Sequence, residues 1–369
     1  MRMEEVDARF MSLALALGRR GLGNTWPNPA VGAVIVRREG GAPVIVGRGW
    51  TQAGGRPHAE IEALRRAGDA ARGATMYVTL EPCSHHGKSP PCADAIIAAG
   101  IARVVSALED PNPEVAGAGH ARLRAAGIAV EVGLGAEEAR RAHAGHLRRI
   151  LEHRPHVTLK LALSADRKAG AAGRRPVEIT GEAVRARVHR MRAMNDAILI
   201  GIGTALADDP QLTCRLPDME KFSPVRVVLD TRLRLPAGSA LAKSARATPV
   251  WVVAAPDASA EAERTLRRQG VQVLHAPAQA GRLDLAAVLR LLAERGITRL
   301  MVEGGPTIAA SFVAADLVDE AALFHSSRTI GPDGIDALEG LALEALTDRL
   351  RSLGGEPVGD DRVEFFARA

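Results

Sequence analysis

Two short motifs in the first half of the chain place histidine, glutamate and cysteine where they could form a metal centre. His58-Ala59-Glu60 begins a predicted helix, and Pro82-Cys83 and Pro91-Cys92 follow it in the sequence. One imidazole and two thiolates are a ligand set that a catalytic zinc uses when its fourth position is left for water. Bound zinc lowers the pKa of that water toward about 7. Glu60 is predicted to reach the same cavity without binding the metal and to carry a proton there.

The pattern His-x-Glu, Pro-Cys and a second Cys is typical of the zinc nucleobase deaminases, in which the glutamate delivers a proton to the substrate nitrogen. Their usual signature has two residues between the cysteines, whereas this chain has eight, from Ser84 to Pro91. Other interpretations stay open at this point. His85 or His86 could supply a fourth ligand to a structural zinc, or the cysteines could simply be small buried hydrophobic residues.

Two glycine turns at predicted strand ends in the second half could hold phosphate. Gly201-Ile-Gly-Thr204 follows one apolar strand, and Glu303-Gly-Gly-Pro-Thr307 follows another and begins a helix. Free N–H groups at a helix N-terminus suit phosphate, and glycines allow close approach of the backbone. Gly-Gly-Pro alone can also be an ordinary turn, and no G-x-G-x-x-G fingerprint is present. Two such turns in one domain are consistent with a dinucleotide crevice. The sequence identifies no essential acid in this half.

Both halves alternate strands with helices, which predicts two α/β domains, each with a mostly parallel or mixed sheet. In the first half a hairpin is predicted from strands within 28–36 and 44–47, and a long helix over 136–152. Pro155 cannot continue that helix. The boundary is therefore expected near 146–155, giving domains 1–147 and 154–369.

Composition excludes several classes of protein. Lys plus Arg is 48 and Asp plus Glu is 43, a net charge of +5, and aromatic residues make up 3%. Basic residues never form a run of five, so we expect no nucleic-acid partner. No apolar stretch approaches about 18 residues, so we expect no membrane span. An acidic N-terminal segment without an apolar run argues against a secretory signal, and we expect a cytoplasmic protein.

The run Thr79-Leu-Glu-Pro-Cys-Ser-His-His-Gly-Lys-Ser-Pro-Pro-Cys92 closely resembles the deaminase half of the bifunctional riboflavin-biosynthesis deaminase–reductase family. Asn28-Pro-Ala-Val-Gly-Ala33 and Asp110-Pro-Asn-Pro-Glu-Val-Ala-Gly117 resemble it as well. In the second half, the resemblance continues through three further runs: Leu159–Asp166, Gly203–Arg215 and Val302–Thr307. It implies an N-terminal cytidine-deaminase-like αβα domain and a C-terminal dihydrofolate-reductase-like α/β domain.

The resemblance also implies roles for individual residues. Glu60 would be the catalytic residue, and His58, Cys83 and Cys92 would bind one Zn²⁺ per chain. Asn28 would bind the pyrimidine, and Lys88 the ribose phosphate. The residues implied at the NADPH site are Ala162, Thr204, Asp208, Thr231, Gly305, Pro306, Thr307, Ile308, Ala309, Ala310 and Ser311. Those implied to bind the reductase substrate are Arg192, Leu212, Arg215 and Glu303. The chain departs from the family's usual residues at Thr51, Arg167, Pro176 and Glu178.

The activity implied has two steps. The first domain would hydrolytically deaminate 2,5-diamino-6-(5-phosphoribosylamino)pyrimidin-4(3H)-one. The second would use NADPH to reduce the ribosyl group of the resulting 5-amino-6-(5-phosphoribosylamino)uracil to a ribityl chain. The resemblance further implies a homo-oligomer, either a dimer or a tetramer. Two alternatives remain at this point: a deaminase with a degenerate reductase domain, and a nucleic-acid editing or binding protein built on the deaminase fold.

Overall fold

The structure, a computed structural model, describes residues 3–85, 90–113, 115–174 and 177–368. The chain divides into two units, Met1–His153 and Arg154–Ala369. This division falls within the segment 146–155 that the sequence marks as the boundary. Each unit has its own sheet and its own buried apolar residues.

The first unit is built from five strands and six helices among the described residues. In chain order they are α1 (Met3–Gly18), β1 (Gly32–Glu39), β2 (Ala42–Trp50), α2 (Ala59–Ala67), β3 (Thr75–Val78), α3 (Cys92–Ala98), β4 (Arg103–Ser106), α4 (Ala118–Ala125), β5 (Ala129–Val132), α5 (Ala136–Ala142) and α6 (Ala144–Glu152). The sheet order is β2-β1-β3-β4-β5. β1 is antiparallel to β2 and β3, and β3, β4 and β5 are parallel, so the predicted hairpin and mixed sheet are confirmed.

Helix α2 lies unusually close to strand β2. A Cβ at Gly49 would lie 2.3 Å from the carbonyl oxygen of Ala59, and one at Gly47 would lie 2.3 Å from that of Ala63. No side chain fits at either distance, so glycine at both positions lets the helix pack directly against the strand. The start of α2, where His58 and Glu60 lie, is thereby fixed against the sheet.

The predicted helix over 136–152 is wrong in one respect, because the structure has two helices there. α5 ends and α6 begins around His143, whose backbone has φ −95° and ψ 11°. The His143 side chain is buried, and its Nε2 lies 3.0 Å from the hydroxyl of Thr79 at the end of β3. The helix is therefore interrupted at the residue whose side chain contacts the sheet. The spacing of apolar residues in the sequence gives no sign of this interruption.

The second unit follows the same alternation. In chain order it contains β6 (His156–Leu163), β7 (Lys168–Gly170), α7 (Glu182–Ala193), β8 (Ala197–Gly201), α8 (Ile202–Asp208), β9 (Val225–Leu229), α9 (Ala240–Lys243), β10 (Val250–Ala254), α10 (Ala260–Gln269), β11 (Gln272–His275), β12 (Ala278–Gln279), β13 (Arg282–Leu283), α11 (Leu285–Glu294), β14 (Arg299–Val302), α12 (Pro306–Ala314), β15 (Glu320–His325), β16 (Ile335–Asp336), α13 (Glu344–Thr347), β17 (Arg351–Val358) and β18 (Asp361–Ala367).

Its main sheet has the order β11-β10-β9-β8-β14-β6-β15-β18-β17. The strands from β11 to β15 are parallel, and β18 and β17 add an antiparallel edge. β8, β9 and β10 are buried at every position, as expected for parallel strands covered on both faces. Their carboxyl ends, with that of β14, meet at one edge of the sheet. Among the described residues, the structure holds no helix with the length and apolar character that a membrane crossing requires.

Candidate active sites

The three predicted zinc ligands meet in the first unit. His58 Nδ1 lies 3.7 Å from Cys83 Sγ and 3.4 Å from Cys92 Sγ, and the three ligand atoms lie within 4.8 Å of one another. Tetrahedral zinc, with bonds of about 2.0 Å to nitrogen and about 2.3 Å to sulfur, separates such ligands by about 3.5 Å. The donor atoms therefore fit zinc both in type and in spacing. His85 is not part of this ligand cluster, so no described residue supplies the fourth ligand that a structural zinc would need.

Each ligand comes from a different local structure. His58 is the residue before α2, Cys83 follows the end of β3, and Cys92 is the first residue of α3. The Cys92 N–H donates to Cys83 Sγ at 3.3 Å, so the start of α3 also stabilises negative charge on that sulfur. The pKa of the Cys83 thiol is lowered to about 4, chiefly by the hydrogen bond from the Cys92 side chain. A thiolate at neutral pH is the form that binds a metal.

Glu60 lies beside these ligands with 3% of its surface exposed. Burial raises the pKa of its carboxyl, and the positive charge of His58 opposes that rise. A carboxyl group whose pKa lies above its usual range can both accept and return a proton near neutral pH. The position and environment of Glu60 therefore suit proton transfer.

A cavity of about 190 Å³ opens onto His58, Glu60 and Cys83. Asn28 lines it, and its Nδ2 donates to the carbonyl of Gly55 at 2.8 Å and lies 3.5 Å from His58 Nε2. The predicted pyrimidine residue thus borders the predicted metal site. Thr51 also lines the cavity, and its hydroxyl accepts a hydrogen bond from the Val31 N–H at 3.0 Å.

The far wall of this cavity is held by a carboxylate that the sequence analysis did not assign. The buried Glu81 accepts hydrogen bonds from the backbone N–H groups of Asp110, Gly117, Gly119 and His120, at 2.8 to 3.2 Å. Asp110 lines the cavity, and its carboxylate accepts from Asn112 N–H and lies 3.0 Å from His146 Nε2. The sequence signal that could have identified Glu81 is the Glu-Pro-Cys motif, in which the glutamate precedes a predicted zinc ligand by two residues.

In the second unit, Glu303 is the centre of a partly buried charged cluster. Arg192 donates to both of its carboxylate oxygens, at 3.0 and 2.9 Å, and Lys160 Nζ lies 3.6 Å from Oε1. Burial raises the pKa of the Glu303 carboxyl. The positive charges and hydrogen bonds of Arg192 and Lys160 lower it by more, so that pKa lies below its usual range. Arg192 also donates to the carbonyl of Thr213 at 3.1 Å. The sequence analysis did not assign Lys160, which lies in the middle of β6, because only the folded sheet brings it close to Glu303.

The two glycine turns meet at the start of α12. Gly305 is the residue before this helix, Pro306 is its first residue, and the Gly305 N–H donates to the Thr204 hydroxyl at 3.1 Å. A Cβ at Gly305 would lie 3.2 Å from Thr204 Oγ1. The turn therefore presents backbone rather than side chain at a helix N-terminus, which suits a phosphate.

Two cavities extend in opposite directions from this turn. A cavity of about 350 Å³ is lined by Lys160, Ala162, Asp208 and Glu303, and a cavity of about 680 Å³ is lined by Thr231 and by residues of α12. Gly203, Thr204 and Gly305 line both cavities. A long ligand with a phosphate near its middle would fit this arrangement, as a dinucleotide does.

Comparison with known proteins identifies both units. Residues 4–108 match the cytidine and deoxycytidylate deaminase zinc-binding region, and residues 155–361 match the RibD C-terminal domain. The riboflavin biosynthesis protein RibD of Aquifex aeolicus is 40% identical, over 99% of each chain, and that of Escherichia coli is 41% identical, over 93% of each. The chain belongs to the RibD family. The first unit thus has the deaminase fold that was predicted.

Solved structures agree with this RibD family membership over the whole chain. Acinetobacter baumannii RibD (form 1) superposes with a TM-score of 0.87 at 34% identity, covering 99% of each chain. A diaminohydroxyphosphoribosylaminopyrimidine deaminase/5-amino-6-(5-phosphoribosylamino)uracil reductase from Thermotoga maritima superposes with a TM-score of 0.85 at 33% identity, covering all of both chains.

Most of the site residues that the RibD resemblance implies lie where those cavities are. Ala162, Asp208 and Pro306 line the smaller reductase cavity, and Thr307, Ile308 and Ser311 line the larger. Ala309 and Ala310 are buried within α12 and line neither. Leu212 packs in the core with φ +56°, and Arg215 is exposed, with its N–H 3.3 Å from His189 Nδ1. Neither of these two lines a reductase cavity.

Lys88, His86 and Pro176 lie outside the described residues. The other departures from the usual RibD residues are placed. Glu178 lines the smaller reductase cavity and is ion-paired with Arg185. Arg167 is exposed, has φ +60° and pairs with Glu344 at 2.9 Å.

Proposed function

We propose that this RibD family member catalyses two consecutive steps of riboflavin biosynthesis. The first unit deaminates 2,5-diamino-6-(5-phosphoribosylamino)pyrimidin-4(3H)-one. The second reduces the ribosyl group of 5-amino-6-(5-phosphoribosylamino)uracil with NADPH. The observation that carries this proposal is that each unit has its own complete polar constellation at a cavity. His58, Cys83 and Glu60 line the first, with Cys92 beside them in the ligand cluster, and Lys160, Glu303 and the Gly305 turn line the second.

In the deaminase unit, His58, Cys83 and Cys92 would hold one Zn²⁺. When bound, zinc supplies a Lewis acid that lowers the pKa of a water in the cavity toward about 7. Glu60 takes a proton from the attacking water on its carboxylate. It then gives that proton to the amino nitrogen that leaves as ammonia. Asn28 orients the pyrimidine, and Lys88 binds the ribose phosphate as a point charge.

The size of the deaminase cavity also favours a small substrate over a polynucleotide. Its volume of about 190 Å³ suits a single ring, and it has no continuous basic strip among its described lining residues. Polynucleotide binding normally uses a basic groove with stacked aromatic side chains. The nucleic-acid alternative therefore lacks a supporting observation.

In the reductase unit, NADPH supplies a hydride when bound. Opening the furanose breaks the C1′–O4′ bond, so O4′ must take up a proton while the hydride adds to C1′. Lys160 lines the cavity and holds protons at Nζ, and Glu303 fixes that group from 3.6 Å. We assign Lys160 as the proton donor. The RibD resemblance assigns Arg192, Arg215, Leu212 and Glu303 to the substrate, and of these four Glu303 lines the smaller cavity. The predicted cofactor residues that line the two cavities hold the dinucleotide.

We further propose a homo-oligomer, either a dimer or a tetramer, that works in the cytoplasm. β17 is an edge strand exposed along nearly all of its length, which is a ready surface for a second copy. Cys83, Cys92 and Cys214 are all free thiols, which suits a reducing compartment. Light scattering on the protein as it elutes from a size-exclusion column would give its molar mass and so its oligomeric state.

The test is product analysis by mass spectrometry, starting from the diaminopyrimidine with zinc-loaded protein. Without NADPH, we expect the aminouracil and ammonia alone. With NADPH, we expect the ribityl product and an equal amount of oxidised cofactor. Deamination without any NADPH oxidation would favour the deaminase-only alternative.

A further inference from the structure

The larger cavity of the second unit carries two arginines that neither the sequence analysis nor the mechanism uses. Arg234 follows β9, and Arg282 begins β13, and both side chains line this cavity of about 680 Å³ together with Thr231. None of the described residues that line it is acidic. Two guanidinium groups at the same cavity, without a carboxylate among its lining residues, make a site for an anion.

Both arginines are available to a ligand. The Arg282 side chain is exposed and makes no hydrogen bond or ion pair with any described residue. Arg234 is 58% exposed, and its Nε lies 3.9 Å from Oδ1 of Asp230, beyond hydrogen-bond distance. Asp230 is itself buried and uses its other oxygen to accept from the Leu235 N–H at 2.8 Å. Within the part of the chain that the structure describes, neither guanidinium is therefore committed to a close internal partner.

The backbone holds Arg282 at the cavity. The turn between β12 and β13 consists of Ala280 and Gly281, with φ of +50° and +75°. Positive φ at both central residues is the geometry of a tight two-residue hairpin turn. The hairpin pairs Gln279 with Arg282, so the arginine directly follows the turn on a defined strand.

The place of the arginines along the cavity identifies the anion. The Gly305 turn follows β14, and Arg234 follows β9, while β8 pairs with both strands and lies between them. The cavity thus runs across two strand spacings, about 10 Å, from a helix N-terminus to the arginines. A dinucleotide with its pyrophosphate at that helix and its nicotinamide in the smaller cavity would place its adenosine at the end of the larger cavity that carries the two arginines. Sites for NAD place an acid on the 2′-hydroxyl of this ribose, whereas sites for NADP place an arginine near the 2′-phosphate.

We propose that Arg234 and Arg282 bind the 2′-phosphate of NADPH and select it over NADH. This inference rests on the proposed reductase function, since it assigns one end of that cofactor. Glu339 does not compete for the phosphate, because its carboxylate accepts a hydrogen bond from Thr307 at the β14 end of the cavity. A guanidinium can pair with two phosphate oxygens at once, so each arginine should contribute separately to the selection.

Titration calorimetry on the full-length protein tests the proposal without relying on turnover. The probes are 2′,5′-ADP, 5′-AMP and ribose 5-phosphate, and the variants are Arg234→Ala, Arg282→Ala and the matched control Arg232→Ala. Arg232 is exposed and does not line the cavity. We expect each of the two cavity variants to weaken 2′,5′-ADP binding about 10- to 100-fold. Binding of 5′-AMP should change less than about 3-fold, and the control should match wild type.

Several results would overturn the proposal. Equal losses for 2′,5′-ADP and 5′-AMP would give the arginines a general role, and a loss confined to ribose 5-phosphate would place the substrate there. Unchanged binding in both variants would remove them from the site. Wild-type protein that oxidises NADPH with the aminouracil but discriminates poorly between 2′,5′-ADP and 5′-AMP would overturn this inference alone. Wild-type protein that binds neither nucleotide and oxidises no NADPH would overturn the reductase function as well.

Discussion

The carboxylate of Glu81 accepts a hydrogen bond from the Gly119 N–H at 2.8 Å, across 38 positions of the sequence. Gly119 lies so close to the strand end that a Cβ there would be 2.0 Å from the carbonyl oxygen of Pro82. The Glu-Pro-Cys turn therefore packs directly against the start of α4, which requires glycine at position 119. Through the same carboxylate, the turn that carries Cys83 also holds Asp110 at the wall of the deaminase cavity.

Replacing Glu81 by glutamine should destabilise the first unit although the shape is conserved. The amide has a single acceptor oxygen, so N–H groups of the 110–120 segment would face an NH₂ group. Each buried donor left unsatisfied costs about 1–3 kcal/mol. We expect the free energy of unfolding of this unit to fall by about 3 kcal/mol in urea denaturation. Glu39→Gln, at an exposed position of β1, is the control and should stay within about 0.5 kcal/mol of wild type. Equal stabilities for the two variants would contradict this role of Glu81.

Glu60→Gln should separate zinc binding from deamination. The substitution keeps the side-chain size and all three ligands but removes the proton carrier. General acid–base assistance is worth about 10²- to 10⁴-fold, and we expect a loss of that size in ammonia release. Zinc content, measured by plasma mass spectrometry, should stay at one ion per chain. Near-normal turnover with zinc still bound would remove Glu60 from the mechanism.

The deaminase site was the part most fully predictable from sequence. His58, Cys83 and Cys92 belong to short motifs whose residue types specify the chemistry, and the fold needs only to bring three segments together. Glu81 and Asp110 were harder to assign, because their partners are backbone groups and a histidine far along the chain. Lys160 presents the same difficulty, since its strand pattern gives no sign of the Glu303 carboxylate beside it.

The fold was predictable where strands are apolar throughout, as in β8 to β10. The sequence analysis names no strand after the helix that the 303–307 run begins, so β15 to β18 were missed. β17 is exposed on both faces and contains Gly354 and Gly355, so it has no alternation of apolar and polar residues. Its strand conformation comes from pairing with β18, which is a tertiary effect.

Cys92→Ala should abolish zinc binding and deamination but preserve the reductase step. A three-ligand site that loses a thiolate also loses its geometry. The second unit has a separate sheet and core, so reduction of supplied aminouracil should continue at a similar rate. Cys214→Ala is the matched control, because Cys214 is buried in the second unit and should leave zinc content unchanged. Loss of both activities in folded Cys92→Ala protein would show that the two units are coupled.

Lys160→Met should lower kcat of the reductase without a matching change in cofactor binding. Methionine keeps the length of the side chain but has no proton to give to O4′. Glu303 retains its bidentate pair with Arg192, so the partly buried carboxylate stays compensated. We expect kcat to fall about 100-fold or more, while the KM for NADPH changes less than about 3-fold. Lys243→Met, on the exposed face of α9, should behave as wild type. A rise in KM with unchanged kcat would instead assign Lys160 to substrate binding.

Gly305→Val should block NADPH, and the comparison with Gly305→Ala makes the reason measurable. A Cβ at this position already lies 3.2 Å from the Thr204 hydroxyl, and the two methyl groups of valine would project further into the turn that both cavities share. The N–H groups at the start of α12 would then be screened from phosphate. We expect NADPH affinity, followed by cofactor fluorescence, to fall at least about 100-fold for valine and only a few-fold for alanine, since the smaller side chain needs a shift of a few tenths of an ångström. Zinc content and ammonia release should be unchanged in both variants, because the first unit does not depend on this turn. Valine that binds NADPH as well as wild type would mean that the phosphate does not approach the helix at Gly305, and the cofactor would have to be placed elsewhere in the second unit.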